Sequence, residues 1–297
     1  MNKTSLVIGL GIGQLYKDVL QELGHDVVTV DQDPKRLADY TDLEQALSHT
    51  DKFDTVHICT PNYTHGTIAL EVVDKARILF IEKPGLATAS AWDLLVEGHP
   101  DTRIMMVKNN QYRDDIQEFK DLANASVIVN LNWINRDRVP NPGSWFTNKE
   151  LAFGGVSRDL VPHLLSLWMA MDPWYDQADR TRKVVKQNWT LPDLTATDYG
   201  TVNPNGVYNV DDYCRLGFLG QETMWTITAD WRSLQEDNIG VEFELYTGHK
   251  YVKPLGLCPE SAYKRMIKTA IQKIDDQEFW DDQFHQDSWI HTKVEKL

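Results

Sequence analysis

The sequence predicts an α/β chain in two parts: an N-terminal, doubly wound parallel sheet, then an α+β part with a large, mostly antiparallel sheet flanked by helices. Three observations lead there. The first 110 residues alternate short apolar runs with stretches of helical spacing, the series from which a parallel sheet covered on both faces is built. A glycine-rich turn, Gly9-Leu10-Gly11-Ile12-Gly13, separates the first apolar run from the first helical stretch. Beyond residue 112 the texture changes to period-two alternation, clearest where Val241, Phe243 and Leu245 alternate with Glu242, Glu244 and Tyr246, as in a half-exposed antiparallel sheet.

Taken in order, residues 5–10, 26–31, 53–60, 78–83 and 103–107 are apolar runs of strand length, and the stretches between them supply the crossovers that parallel neighbours need. Leu15, Val19 and Leu23 recur at helical spacing before Gly24, a C-terminal stop. Thr41 with Glu44 reads as a capping box that opens a short helix through Leu47. A helix over 114–122 leads into strands over 127–133, 184–189, 212–218, 223–231 and 241–246, with helices over 156–171 and 262–274. Residues 138–147 and 191–206 are polar loops containing Pro, Gly and Asn. The acidic stretch 275–287 reads as a solvated surface.

Composition narrows the classes. Among 297 residues, 44 acidic against 30 basic side chains leave a formal charge of −14, which repels phosphate backbones and anionic membranes, so neither nucleic acid nor membrane is expected as a partner. No apolar run approaches the roughly 18 residues of a membrane span, and the first ten residues lack the cleavage site of a signal peptide. Cys59, Cys214 and Cys258 are widely spaced, with neither disulfide nor zinc-site spacing. The expected setting is the cytoplasm, and no metal site is expected.

The glycine turn lies where backbone approaches a pyrophosphate and a helix N-terminus faces it, as in a Rossmann-type dinucleotide-binding domain. The usual third glycine falls at Gln14, with Gly13 one place early, so close helix–strand packing must be achieved differently. Tight βα turns also hold glycines for structural reasons alone. Asp31 adds weight: it ends the second strand 20 residues after Gly11, where a carboxylate accepts hydrogen bonds from ribose hydroxyls. The alternative is a solvated turn residue before Asp33-Pro34. Residues 1–112 are read as the dinucleotide-binding domain, and 113–297 as a domain for substrate binding and oligomerisation.

Two further segments, Thr60-Pro61-Asn62-Tyr63-Thr64-His65 and Glu82-Lys83-Pro84, follow the third and fourth strands. In order and spacing they resemble the T-P-N-x-x-H and E-K-P motifs of the Gfo/Idh/MocA oxidoreductase family. A third, Gly154-Gly155-Val156-Ser157-Arg158-Asp159-Leu160-Val161-Pro162-His163, is similar to the family's G-G-x-x-x-D-x-x-x-H pattern. A further acid that often follows this histidine by three is replaced by Ser166. The resemblance covers most of residues 5–112 and the 154–163 segment; from about residue 172 only the strand texture matches.

The resemblance implies NAD as cofactor, with NADP possible, bound by Gly9, Gly11, Ile12, Gly13, Asp31, Thr60, Pro61, Asn62, His65, Glu82 and Lys83. It implies Lys83, Asp159 and His163 as catalytic residues, with Lys83 between nicotinamide and substrate. Oxidising a secondary alcohol needs a base for its hydroxyl proton. His163 suits that role near neutral pH, and Asp159, four residues earlier, is placed to orient the imidazole. Lys83, as ammonium, would stabilise developing alkoxide charge. The bland alternative is that Asp159 caps a helix and His163 packs. Pro162 requires either a helix that begins near Arg158–Asp159 or a kink.

Tyr112 and Arg113 fall where the family often places a substrate-contacting arginine, with a surface or hinge role as the alternative. Trp133, with Trp145, Trp225 and Trp231, offers aromatic faces for a sugar ring or serves as core. His65 reads as a structural or cofactor-side residue rather than a metal ligand. The function implied is an NAD(P)-dependent oxidoreductase interconverting a secondary alcohol and a ketone on a sugar, inositol, sugar derivative or sugar nucleotide. The rivals are a non-catalytic ligand sensor on the same fold and a reductase of a non-sugar carbonyl or tetrapyrrole. A homo-oligomer, dimer or tetramer, is expected through an open sheet face rich in Trp and Tyr.

Overall fold

In a computed structural model describing residues 3–196, 200–256 and 258–297, the chain divides into two compact units. One comprises the residues up to Tyr112 together with Pro259–Glu295; the other comprises Arg113–Cys258 with Lys296–Leu297.

The first unit opens with β1 (Lys3–Ile8), α1 (Gly13–Glu22), β2 (His25–Val30), α2 (Leu43–Leu47), β3 (Phe53–Ile58), α3 (His65–Val72), β4 (Ala76–Ile81), α4 (Ala89–Gly98) and β5 (Arg103–Met106). Its strands are all parallel, in the order β2-β1-β3-β4-β5. Ile78, Leu79, Phe80 and Ile81 are all buried, as expected of a central strand covered on both faces. Each of the five strands lies within two residues of its predicted position. The order reverses between β1 and β3, and in open parallel sheets ligands bind outside the carboxyl ends of the strands at that point. The cap of α2 differs from the expectation: Asp42, not Thr41, accepts from the Gln45 amide at 3.1 Å.

The second unit contains α5 (Ile116–Asn124), β6 (Ser126–Ile134), α6 (Lys149–Ala152), α7 (Val156–Asp159), α8 (Val161–Met171), β7 (Asp179–Lys186), β8 (Tyr213–Leu219), β9 (Met224–Asp230), β10 (Asn238–Leu245) and β11 (Lys250–Pro254). Its sheet runs β11-β10-β6-β9-β8-β7, with β6 and β9 parallel and the other pairs antiparallel. Val129 and Leu131 of β6, Trp225 and Ile227 of β9, and Val241 and Phe243 of β10 are buried on the face that α5 and α8 cover. Trp168 of α8 lies 4.6 Å from Phe218 and 5.6 Å from Trp225 between ring centroids.

The opposite face corrects an expectation. It is not rich in Trp and Tyr: Asn130, Asn132, Arg215, Thr226, Thr228 and Glu242 line an open cavity of about 430 Å³ there, with Tyr213 as its one aromatic residue. Trp225 and Trp231 are buried. The edge strands also depart from the reading. β7 begins five residues before its predicted start, and β11 was not expected. Both are largely exposed and carry Arg180, Arg182 and Lys183, or Lys250 and Lys253, the charged edge that blocks further pairing and erases apolar alternation. The loop expected over 191–206 lies outside the described residues at 197–199.

The last two helices, α9 (Glu260–Gln272) and α10 (Gln277–Glu295), belong to the first unit, whereas the sequence reading assigned them to the second. Tyr263 of α9 meets Tyr16 of α1 edge-on at 5.4 Å, and α10 packs on α4 and β5. Much of α10 is the acidic stretch read as solvated surface; Glu278, Asp281 and Asp282 are exposed as expected, but the helix also has a buried face. Trp280, Gln283, Asp287, Ile290, His291 and Val294 form a buried stripe at helical spacing. Asp287 accepts from the Met106 amide at 2.9 Å and pairs with Lys108, both side chains fully buried. Among the described residues no helix is long and apolar enough to cross a membrane.

On the open face, burial pushes the Asp230 carboxyl up to about 6; the Arg232 amide opposes the shift and Asp212 adds to it. The folded state therefore holds this proton more tightly than the unfolded chain, so the cost of the carboxylate is absent below about pH 4 and fully present above about pH 6. Asp230→Asn keeps an acceptor for Arg232. It is expected to raise stability by roughly 1 kcal/mol at pH 8, after allowance for solvent screening, and by less at pH 5. Thermal melts at the two pH values check this; an equal change at both, or a loss at pH 8, is the contrary result.

Candidate functional site

In the first unit three turns meet at the carboxyl ends of β1, β3 and β4. Gly9 has a φ of +88° and donates its amide to the Val30 carbonyl at 2.8 Å. A Cβ there would lie 2.9 Å from both the Cys59 carbonyl oxygen and Thr60 Cγ2, so both conformation and proximity demand glycine. Gly13 opens α1, and its Cβ would lie 3.0 Å from Val7 Cγ1 and 3.3 Å from Cys59 Cβ. The early third glycine thus supplies the close helix–strand contact itself, while Gln14 is exposed and bonds Asp18 at 2.8 Å. Gly11 has nothing within 4 Å of its Cβ position, and Ile12 beside it is exposed, so the outer side of the turn is open to a ligand.

Asp31 is half-buried at the end of β2. Its carboxylate accepts from the Leu10 amide at 2.6 Å and the Asp33 amide at 2.9 Å, tying the β2 end to the glycine turn. A carboxylate has about four acceptor sites, which leaves capacity for a diol. The open side at Gly11 and the acid at Asp31 fit a dinucleotide.

The second and third turns are joined by His65. Thr64 Oγ1 donates to the Pro61 carbonyl at 2.8 Å and lies 2.7 Å from Thr60 Oγ1, with Asn62–Thr64 forming a single 3-10 turn. The fully buried His65 ring then places Nδ1 2.8 Å from the Gly85 carbonyl and Nε2 2.8 Å from the Thr60 carbonyl. Burial pulls its pKa below the ordinary histidine value, opposed by these two carbonyls. Glu82 is buried; it accepts from the Tyr16 hydroxyl at 2.6 Å and from the Lys83 amide at 3.1 Å. Burial and the nearby Glu82 push the Tyr16 phenol well up, so it remains a donor. The Lys83–Pro84 peptide is cis. From 78 to 86 every residue is buried except Lys83, which the turn leaves accessible.

In the second unit, Gly155 precedes α7, and a Cβ on it would lie 1.7 Å from the Asp211 carbonyl oxygen. Asp211 accepts from the Gly155 amide at 3.0 Å, the Ser157 amide at 2.8 Å and the Ser157 hydroxyl at 2.9 Å. α7 ends at Asp159 and α8 starts at Val161, with Pro162 in its first turn, where the missing N–H has no partner to lose. Between 154 and 169 every residue is buried except Asp159 and His163. Asp159 accepts from Trp231 Nε1 at 2.9 Å, and the His163 ring stacks on Trp133 at 5.7 Å and 28°. Ser166 is turned back to its own helix, donating to the His163 carbonyl at 2.9 Å.

The remaining candidates are held by the fold. The Tyr112 carbonyl accepts from Arg265 Nε at 2.6 Å, and burial, with Asp287 and Asp282, raises its phenol. Arg113 is buried in a bidentate pair with Asp115, at 2.8 and 2.9 Å. Trp145 stacks on Phe146 at 3.9 Å. Among the described residues no cluster of three or more His, Cys, Asp or Glu side chains suits a metal ion. Sequence reasoning missed Tyr16 and Asp211, which lie outside any motif, and the role of Trp231, a buried donor rather than an exposed stacking face.

Residues 6–105 match the family described as "Oxidoreductase family, NAD-binding Rossmann fold", the Gfo/Idh/MocA group. A putative UDP-kanosamine synthase oxidoreductase subunit from Amycolatopsis mediterranei (strain S699) is 28% identical over 180 residues, 56% of this chain and 50% of the relative; the matched stretch thus spans half of that relative's length. Among solved structures, GenD2 from gentamicin A biosynthesis in complex with NAD superposes with a TM-score of 0.79 at 18% identity, over 99% of this chain and 92% of that one. A myo-inositol dehydrogenase from Corynebacterium glutamicum superposes with a TM-score of 0.73 at 13% identity, over 100% and 95%. At those identities the superpositions establish a shared fold.

Gly155→Ala tests the Asp211 contact directly. The added methyl meets a backbone carbonyl that holds the start of α7, so the variant is expected to lose about 3 kcal/mol or to misfold. Denaturant unfolding measures this, and a loss below about 0.5 kcal/mol is inconsistent with the contact.

Proposed function

We propose that the chain, whose residues 6–105 match the NAD-binding Rossmann-fold oxidoreductase family, is an NAD-dependent dehydrogenase. It interconverts a secondary alcohol and a ketone on a sugar, cyclitol or sugar nucleotide. The observation that carries this reading is the isolation of Asp159 and His163: they are the two half-buried side chains, four residues apart, in an otherwise buried stretch. Lys83 stands out in the same way in its own buried segment.

The turn from Gly9 to Gly13, Asp31, the Thr60-Pro61-Asn62 turn, His65 and Glu82-Lys83 hold the cofactor in this reading, and bound NAD supplies the acceptor for the hydride. A ring nitrogen of His163 takes the hydroxyl proton of the substrate. Asp159, kept in place by Trp231 and four residues before His163, supplies the negative charge that stabilises the imidazolium that results. The Lys83 ammonium donates to the substrate oxygen as its charge develops. Trp133 adds an aromatic face beside His163 on which a sugar ring stacks. The substrate class is supported by the naming of similar proteins for an inositol dehydrogenase and a UDP-kanosamine synthase subunit.

Two outcomes follow from this reading. Asp31 accepts from ribose hydroxyls but repels a 2′-phosphate, so NAD is expected to bind more tightly than NADP by titration, with Asp31→Ser narrowing the difference. Equal or tighter NADP binding overturns the preference. Lys83→Met and His163→Ala are expected to lower kcat by about 10²-fold or more, the scale of a lost acid–base group, with NAD affinity within a few-fold and Asp159→Asn milder. Steady-state kinetics beside a cofactor titration and a melting curve decide; near-normal turnover in both variants refutes the assignment.

A further inference from the structure

We propose that His291, on the C-terminal helix α10, is a positioning residue for Lys83. The inference rests on the reading that Lys83 acts on the substrate. A lysine ammonium sits on a flexible four-carbon stem, so its reach is defined only if the backbone at its root is fixed. That root is the turn Glu82-Lys83-Pro84-Gly85-Leu86. Glu82 closes it from within, its carbonyl accepting the Gly85 amide at 3.0 Å. His65 holds the Gly85 carbonyl. The Leu86 amide, the next donor along, goes to His291 Nε2 at 3.0 Å, across 205 residues of chain.

The hydrogen bonds define the state of the ring. His291 Nδ1 lies 2.7 Å from the Asp287 carbonyl, which only accepts, and Nε2 faces an amide, which only donates. The ring is therefore the neutral Nδ1–H tautomer. It is fully buried and stacks on Trp92 at 4.7 Å and 23°. Gly85 has a φ of +77°, and a Cβ on it would lie 2.3 Å from His291 Nε2, so the ring occupies space that only glycine leaves. Around it α10 is anchored twice more: Glu295 accepts the Ala89 amide at 2.8 Å, and Asp287 holds the Met106 amide. Position 291 lies in the buried stripe of α10, where a polar ring must find its hydrogen-bond partners within the protein. A histidine there is explained by the amide it receives.

The test uses H291L, which removes the acceptor, H291Q, whose side-chain oxygen reaches about as far as Nε2, and H291N, which is too short. K83M and the unaltered chain run beside them. The measurements are kcat and KM, NAD affinity by titration, melting temperature, and the labelling rate of Lys83 by an amine-reactive reagent followed by mass spectrometry. Expected are a fall in kcat of about 10-fold or more in H291L and H291N, given that misplacements of about 1 Å cost up to 10²-fold, with NAD affinity within about 3-fold. Lys83 labelling changes severalfold in both, and H291Q restores both readouts. Unchanged kcat and labelling in H291L while K83M is inactive overturns the proposal and leaves the role of Lys83 standing. Full activity in K83M sinks that role instead, and the labelling rates then decide the positioning claim alone. Should H291L fail to fold, equal kcat and equal labelling in H291Q and H291N overturn it.

Discussion

A buried imidazole lies between the two turns at the carboxyl ends of β3 and β4 in the first unit. His65 faces two backbone carbonyls, one in the turn after β3 and one in the turn after β4, and both need donors that water cannot reach. A neutral ring has one N–H to give and an imidazolium has two, while burial favours the neutral form and the carbonyls the charged one. The imidazolium bonds both turns at once, whereas the neutral ring bonds one carbonyl and only packs against the other. The glycine turn joins the same assembly by proximity, because Gly9 and Gly13 both abut Cys59. Three segments far apart in sequence thereby become one surface, at the place in an open parallel sheet where ligands bind.

The second unit solves a similar problem with a carboxylate. The start of α7 has amides with no helical partner, and Asp211 takes two of them together with the Ser157 hydroxyl. The contact is so close that residue 155 must lack a side chain. Leu160 then separates two short helices instead of allowing one long one, which accommodates Pro162 without a lost hydrogen bond. Asp159 and His163 emerge on either side of that break. Leu160, the residue before α8, supplies no side-chain cap, and Asp159 is engaged by Trp231.

Much of this was legible in the sequence because it is local. Strand periodicity located the five parallel strands to within two residues, and the motifs mark turns whose geometry needs those residue types. What was not legible falls into two kinds. Charge concealed structure: the edge strand β7 is polar over its first five residues, and α10 hides a buried stripe beneath many acidic residues. Elsewhere the meaning is non-local. Nothing near Trp231 announces a partner 72 residues away, nor near His291 one 205 residues away. Arg113 was read for a substrate, while in the fold two of its nitrogens are engaged by Asp115 two residues on, a pairing that sequence spacing alone does not distinguish from a coincidence of charges.

The exposure of the three candidate catalytic groups favours chemistry over packing. The fully buried Lys108 and Asp287 neutralise one another, because desolvating a lone charge is costly. A fully exposed charge is screened by water and acts weakly on a neighbour. Lys83, Asp159 and His163 occupy the range between, each flanked by buried residues on both sides. In such a position a group keeps access to a ligand while its stem is immobilised, and binding a substrate completes its desolvation. The surrounding buried residues are then the scaffold that limits where each group points: Trp231 holds the Asp159 carboxylate, and His291 holds the turn that carries Lys83.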